Sequence, residues 1–194
     1  MKNNFIRTFS IFITFLSLYT VTFADEFNFN VTEVQIYEDG NLIKGVKGGT
    51  VTTENNIIIT ADSFEYNKLT TLFEAIGNAK LIDQNENITI ESNEVYYLKN
   101  KEEIYTLGKS KANNGLNIEI DADEYFKYNK LTLILEAKGN VVIYDKEKDT
   151  TIKANEVFYE KNQNKFYTIG KTKVFVDKKY TINTSDLIFL EKEM

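Results

Sequence analysis

The sequence contains no histidine, no cysteine, no proline and no tryptophan. Without histidine and cysteine, the chain lacks the commonest general base, the thiolate nucleophile and two of the main transition-metal ligands. No disulfide can form, so stability must come from a buried core. Without proline, no strand is barred from a central position in a sheet. These absences argue against an enzyme, and we predict no catalytic residue, no metal site and no cofactor.

Basic side chains are outnumbered by acidic ones, 23 to 29, so the formal net charge is −6. Nucleic-acid affinity comes largely from basic side chains on phosphate, so an acidic chain argues against a nucleic-acid partner. Carboxylates recur in register, as Glu74 and Glu136 do. A glycosidase would need one pair flanking a cleft. Carboxylates repeated by period are more typical of a solvated face.

Residues 1–24 have the composition of a signal peptide. Lys2 and Arg7 charge the start, a mostly apolar run covers residues 9–21, and Thr22-Phe23-Ala24 fits a small-residue cleavage site. An apolar run of about 13 residues is short for a membrane span, which needs about 20. An uncleaved membrane anchor is the alternative. We expect a cleaved signal peptide over residues 1–24, export, and a single mature domain over residues 25–194.

The rest of the chain is organised by a repeat. Segment 66–78 recurs as segment 128–140, with nine of thirteen positions identical. A glycine also recurs at a constant spacing within and beyond these segments, at Gly77, Gly108, Gly139 and Gly170. A constant period of this size indicates stacked supersecondary units. The last unit stops about halfway, at Met194, so it either caps the stack or belongs to a polypeptide that continues.

Within each unit, the side chains alternate as they do in a β-strand. In the third copy, one face carries Leu133, Leu135, Ala137, Gly139, Val141 and Ile143. Residues one period apart form columns, of which the clearest is Phe73, Ile104, Leu135 and Phe166. We predict that these columns line an interior wall. The glycine column marks where the wall bends, since glycine in a strand is typical of a bulge or corner.

An odd step interrupts the alternation once in each unit. A small residue lies two positions after an isoleucine, as at Ala61, Ser92 and Ala154, and the next apolar pair follows three and five positions later. Such a step implies a β-bulge or a corner. Turn signals such as Asn67-Lys68 and Asn129-Lys130 separate the strands. No helical periodicity appears after residue 24, so the sequence predicts an all-β fold.

These motifs resemble a known family. The opening Ile-x-Ala-Asp with its aromatic pair, followed by a turn and Glu-Ala-x-Gly-Asn, resembles the OstA-like domain over roughly residues 27–194. That domain is shared by the periplasmic lipopolysaccharide bridge protein LptA and by the amino-terminal periplasmic part of the outer-membrane assembly protein LptD. The resemblance implies an open antiparallel β-jelly roll, built here from about 31-residue repeats, with an apolar slit that carries lipid acyl chains.

The resemblance also implies a function and partners. We expect non-enzymatic lipopolysaccharide transport in the periplasm, in association with the outer membrane. The expected partners are the acyl chains of lipid A, other OstA-like proteins joined edge to edge, and an outer-membrane assembly complex. Burying a chain of about 12 carbons gains on the order of 10 kcal/mol before entropy costs. The predicted lipid-facing residues are Phe73, Ala75, Ile104, Leu133, Leu135, Ala137, Val141, Ile143, Phe166 and Val174.

Several alternatives remain open at this point. The chain is either LptA-like or the amino-terminal part of a longer LptD-like protein. A structural β-solenoid, acting as a scaffold or adhesin, would show the same period but would close its core and bind no lipid. A small outer-membrane barrel is disfavoured, because Glu136, Lys138, Lys171 and Lys173 interrupt the outward apolar band that it needs.

Overall fold

The computed structural model describes residues 27–177 and 179–190, and almost all of them lie in β-strands or tight turns. The strands are β1 (Phe27–Tyr37), β2 (Leu42–Thr53), β3 (Ile57–Ala61), β4 (Ser63–Asn67), β5 (Leu72–Asp83), β6 (Ile88–Leu98), β7 (Glu103–Thr106), β8 (Ser110–Asn113), β9 (Ile118–Ala122), β10 (Tyr125–Asn129), β11 (Ile134–Asp145), β12 (Thr150–Glu160), β13 (Lys165–Ile169), β14 (Thr172–Val176), β15 (Tyr180–Thr184) and β16 (Leu187–Leu190). Single 3-10 turns cover Glu38–Gly40, Lys99–Lys101 and Lys161–Gln163. The predicted signal peptide lies outside the described residues.

Within the described ranges, the strands form one continuous antiparallel sheet. The chain crosses this sheet in consecutive passes, and each pass pairs with the one before it and the one after it. Some passes are one long strand, such as β5, and others are two short strands, such as β3 followed by β4. Two consecutive passes make up one period of the sequence repeat. The prediction of an all-β antiparallel fold is confirmed.

A corner divides every pass, so that the sheet folds into two layers. Layer A contains β3, β8, β9, β14 and β15, together with residues 27–31, 49–53, 79–83, 88–92, 141–145 and 150–154 of the long strands. Layer B contains β4, β7, β10, β13 and β16, together with residues 33–37, 42–46, 72–76, 94–98, 134–138 and 156–160. This two-layered arrangement fits the predicted jelly-roll-like architecture.

The predicted odd step coincides with these corners. In β5, Ile76 pairs with Glu94 and Ala79 pairs with Ser92, so two residues, Gly77 and Asn78, lie opposite one. The same bulge recurs in β11, where Gly139 and Asn140 occupy the equivalent place. A bulge bends its strand, which is why the layers fold at this line. The four predicted glycines all have a positive φ of between 78° and 85°, a conformation that glycine adopts without steric penalty.

Apolar side chains of the two layers meet face to face. Phe27 of layer A stacks on Phe73 of layer B with ring centroids 4.6 Å apart, and it also contacts Tyr66 at 4.5 Å. Phe27 belongs to the first pass and Phe73 to the fourth, so the facing layers are staggered. Neighbouring strands in a sheet are each rotated by about 20°, and that twist accumulates into such a stagger. The core lies between the layers and runs along the whole stack.

No helix among the residues that the structure describes is long and apolar enough to cross a membrane.

Candidate functional site

The interior between the layers is the candidate site, and most of the predicted lipid-facing residues line it. The structure buries Phe73, Ala75, Ile104, Leu135, Ala137 and Phe166 on layer B, and Val141, Ile143 and Val174 on layer A. Leu133 differs, because it lies in the turn before β11 with a φ of 54°. It is partly buried and packs against the core from that turn. All ten positions therefore contact the interior, nine from strands and one from a turn.

A row of tyrosines completes the wall of layer B. The cross-strand pairs connect Phe73 to Tyr97, Ile104 to Tyr128, and Phe166 to Tyr159. Tyr66, Tyr97, Tyr128 and Tyr159 are all buried. They were missing from the predicted set of lipid-facing residues, although they recur with the same period as the glycines. That spacing was the signal that could have placed them inside.

Two of these tyrosines differ in their polar contacts. The hydroxyl of Tyr97 donates to Glu102 Oε2 at 2.5 Å. The hydroxyl of Tyr128 is buried and has no hydrogen-bond partner among the described residues. Burial, together with the nearby charges of Asp83 and Glu86, raises the pKa of Tyr128 well above its usual value. The hydroxyl of Tyr128 therefore lies in an apolar part of the interior, near the acidic side chains of Asp83 and Glu86.

Two kinds of side-chain hydrogen bond alternate along the corner. At Gly77 the amide of Asn78 donates to Asp62 Oδ2 at 2.9 Å, and Asn140 does the same to Asp123 at 3.0 Å. At Gly108 the hydroxyls of Thr106 and Ser110 bond at 2.7 Å instead. The equivalent pair at Gly170 is Thr168 and Thr172. The two hydroxyl pairs are buried, so each hydroxyl satisfies its partner where the strands break, whereas the two amide–carboxylate pairs are exposed on the outer side.

Side chains fill the interior. A cavity between the layers, lined by Ile88, Ile118, Leu135 and Tyr159 among others, has a volume of about 20 Å³. That volume holds roughly one water molecule. An acyl chain therefore cannot enter unless the layers separate. In the described part of the chain, no group of three or more acidic side chains is arranged to hold a metal ion.

Both ends of the stack leave inner-face side chains uncovered. At one end, Val34 and Ile36 of β1 belong to the inner face of layer B and are 46% and 65% exposed. At the other end, Tyr180 and Ile182 of β15 belong to the inner face of layer A and are 66% and 49% exposed. The stagger explains the pattern, since each layer extends past the other at one end. β1, β15 and β16 each pair with a single strand within the described residues.

No protein-family model matches the chain, and a search of curated protein sequences finds no match. What the protein does must be argued from its apolar interior and from the open ends of its two layers.

Proposed function

We propose that the protein is an OstA-like transport protein of the periplasm that carries the acyl chains of lipopolysaccharide between its two layers. The observation that carries this proposal is an apolar interior that continues from one end of the stack to the other and is uncovered at both ends. Transport of this kind needs no reaction, only a continuous apolar path. The energy for movement is supplied elsewhere.

The energetics of the interior favour acyl chains over other ligands. Each buried methylene contributes about 0.8 kcal/mol. The rows that run through Phe73 and Leu135 on layer B and through Val141 and Val174 on layer A offer apolar contact along the whole stack. The phosphorylated sugars of the same lipid would remain in water outside the interior. The layers must part to admit the chain, and the entering chain would replace contacts that the layers now make with each other.

We also propose that copies of the protein assemble edge to edge, and the ends of the stack support this proposal. An unpaired strand presents N–H and C=O groups that another strand can bind. β15 ends layer A and β16 ends layer B, while β1 spans both layers. The end of one copy therefore matches the start of another in both layers at once. Such a joint would cover the exposed inner-face side chains of β1 and β15 and would continue the apolar path from one molecule to the next.

Photocrosslinking tests the proposal directly. A photoreactive side chain is placed at four interior positions, Phe73, Ile104, Leu135 and Phe166, and at three outward positions, Tyr105, Ile169 and Lys171. Cells that make labelled lipopolysaccharide are then irradiated. We expect adducts at the interior positions and none at the outward ones. Equal adducts on both faces would contradict the assignment of the interior as the lipid path.

One observation favours a second candidate function, a structural scaffold that binds no lipid. The interior is filled, and the cavity beside Leu135 and Tyr159 is far smaller than an acyl chain. A scaffold would keep this core closed permanently. The same photocrosslinking experiment separates the two functions. A folded protein that yields no adduct at any interior position would contradict lipid transport and support the scaffold function.

A further inference from the structure

The hairpin turns of the two layers form two rims that face each other across the mouth of the interior. Rim A comprises the layer A turns at residues 54–56, 84–87, 114–117 and 146–149. Rim B comprises the layer B turns at residues 38–41, 68–71, 99–102, 130–133 and 161–164. Along each rim, backbone hydrogen bonds join neighbouring turns, such as the bond from Lys161 N to Leu133 O at 3.1 Å. On rim A, the turns at 84–87 and 114–117 are joined instead by the side chain of Asn87, which donates to the Asn114 carbonyl oxygen at 3.1 Å, so each rim is a connected edge.

Asp83 and Lys130 connect the two rims near their middle. Asp83 ends β5 in layer A, and its Oδ1 accepts hydrogen bonds from the backbone N–H groups of Asn85 and Glu86, both at 3.2 Å. Its Oδ2 lies 3.0 Å from Nζ of Lys130, which belongs to rim B. The Asp83 side chain is fully buried and the Lys130 side chain is 11% exposed. Lys130 thus neutralises a buried carboxylate that belongs to the opposite layer.

Glu86 and Lys161 form a second connection beside the first. Lys161 Nζ lies 2.6 Å from Oε2 of Glu86 and 2.5 Å from the backbone carbonyl oxygen of the same residue. The two residues are 75 positions apart in the sequence, and both side chains are about one quarter exposed. One ammonium group therefore holds the rim A turn by its side chain and by its backbone.

Most other ion pairs among the described residues stay within one layer. Lys146 Nζ lies 2.6 Å from Glu119, and both residues belong to layer A or its rim. Asp145, which is equivalent to Asp83 one long repeat later, also accepts bonds from two backbone N–H groups of its turn. Its lysine partner, Lys148, lies three positions away in that same turn, at 3.4 Å. The cross-layer position of Lys130 and Lys161 is thus not a general consequence of the repeat.

We propose that the ion pairs Lys130–Asp83 and Lys161–Glu86 form a latch that holds the two rims together, and that release of this latch opens the interior to an apolar ligand. This inference rests on the proposed lipid-carrying function for the identity of the ligand. The latch covers the part of the interior where the hydroxyl of Tyr128 lies buried without a partner among the described residues. Opening would hydrate that hydroxyl and the Asp83 carboxylate, which offsets part of the cost of separating apolar surfaces.

The distance between the rims tests the latch. The chain has no cysteine, so a cysteine pair at the exposed positions Gln84 and Asn162 can carry spin labels on opposite rims without interference. Double electron–electron resonance should give one short distance for the otherwise unchanged protein. Lys161→Gln should add a longer component, because it removes the charge that holds Glu86 of the opposite rim. The matched control, Lys146→Gln, removes an ion pair of similar length within layer A and should leave the distance unchanged.

The buried pair needs a variant that still folds. Lys130→Gln alone would leave the buried Asp83 carboxylate without a counter-charge, which is strongly destabilising. Asp83→Asn and Lys130→Gln are therefore combined. The double variant removes both charges and keeps an amide oxygen that accepts the hydrogen bonds from the turn's N–H groups. We expect Lys161→Gln to shift the opening equilibrium by about two- to fivefold, and the double variant to shift it in the same direction. Unchanged distance distributions in the folded double variant and in Lys161→Gln would overturn the latch.

Uptake of a dansyl-labelled undecanoic acid separates failure of the latch from failure of the proposed function. If the latch gates a lipid site, variants with longer rim distances should take up this probe faster. The uptake rate should rise by about the same factor as the equilibrium constant for opening. Longer rim distances with no probe uptake in any variant would overturn lipid carriage while leaving the latch in place. Probe uptake that is equally fast in the latch variants and in the Lys146→Gln control would overturn the latch as the gate while leaving lipid carriage in place.

Discussion

The side-chain carboxylate of Asp62 occupies the space in which a Cβ on Gly77 would lie. Gly77 has a φ of 82°, and the backbone N–H of Asp62 donates to the Gly77 carbonyl oxygen at 2.9 Å. The two residues belong to neighbouring passes and meet at the corner between the layers. Gly108 shares the positive φ of Gly77 but has no neighbouring atom within 4 Å of its Cβ position. Alanine substitutions at these two glycines therefore distinguish the cost of backbone strain, which both share, from the cost of steric contact, which only Gly77 has.

Gly77→Ala should destabilise the protein more than Gly108→Ala. Both substitutions place a Cβ at positive φ, which costs about 1–2 kcal/mol. Gly77→Ala must also displace Asp62 and break its bond to Asn78, which adds roughly another 1 kcal/mol. Urea denaturation of both variants measures the difference in unfolding free energy. Equal losses would show that the Asp62 contact does not constrain the corner.

Tyr97→Phe and Tyr128→Phe should have opposite effects on stability, although the two tyrosines are equivalent in the repeat. Tyr97→Phe removes a hydrogen bond to Glu102 and should cost about 1–2 kcal/mol. Tyr128→Phe removes a buried hydroxyl that has no partner among the described residues, so it should be neutral or stabilising by up to about 1 kcal/mol. Thermal or chemical denaturation distinguishes them. A clear loss of stability in Tyr128→Phe would mean that its hydroxyl has a partner in solution.

Self-association should depend on the side chains left uncovered at the two ends. Val34→Lys and Ile182→Lys each place a charge where an edge-to-edge joint would bury an apolar side chain. Burial of one such side chain contributes about 1.5–3 kcal/mol, so the dissociation constant should rise roughly tenfold to a hundredfold. Leu116→Lys is the control, because Leu116 is 80% exposed in a rim A turn away from both ends. Sedimentation velocity over a concentration series measures the effect, and a strict monomer at every concentration would contradict edge-to-edge joining.

Glu102 and Glu74 should contribute to the pH dependence of stability with opposite signs. Burial alone would raise the pKa of Glu102, but hydrogen bonds from Lys99 and Tyr97 outweigh it and hold the pKa below its usual value. A lowered carboxyl pKa stabilises the fold above the unfolded value of about 4.5, and this contribution is lost as the pH falls through the folded pKa. Glu102→Gln should therefore lower stability near pH 7 and have less effect near pH 3.

For Glu74, burial and the nearby Glu65 and Glu94 raise the pKa. A raised carboxyl pKa means that the charged form disfavours the fold, so this penalty is present above the folded pKa and disappears as the group protonates. Glu74→Gln should slightly raise stability near pH 7 and leave it unchanged near pH 3. Denaturation curves of both variants at the two pH values provide the check, and effects of the same sign at pH 7 would contradict this assignment.

Local patterns in the sequence were enough to predict the strands, the corners and the wall of the interior. Alternation around Leu135 and the periodic spacing of Phe73, Ile104 and Phe166 place these residues inside, because strand side chains alternate by local backbone geometry. The recurring glycines mark the corners for a second local reason, because glycine adopts a positive φ without steric penalty. Leu133 escaped this reasoning, since it ends a turn in the left-handed region, where strand alternation does not apply.

The way in which the two layers face each other emerged only from their packing. The contact of Phe27 with Phe73 depends on the twist that accumulates over three passes, and no local pattern specifies its amount. The ion pair between Lys161 and Glu86 joins residues 75 positions apart, so the sequence period gives no sign of it. The same stagger leaves Ile36 and Ile182 uncovered at opposite ends. Local geometry is encoded residue by residue, whereas the register between layers is a sum over many strands and is known only once they are packed.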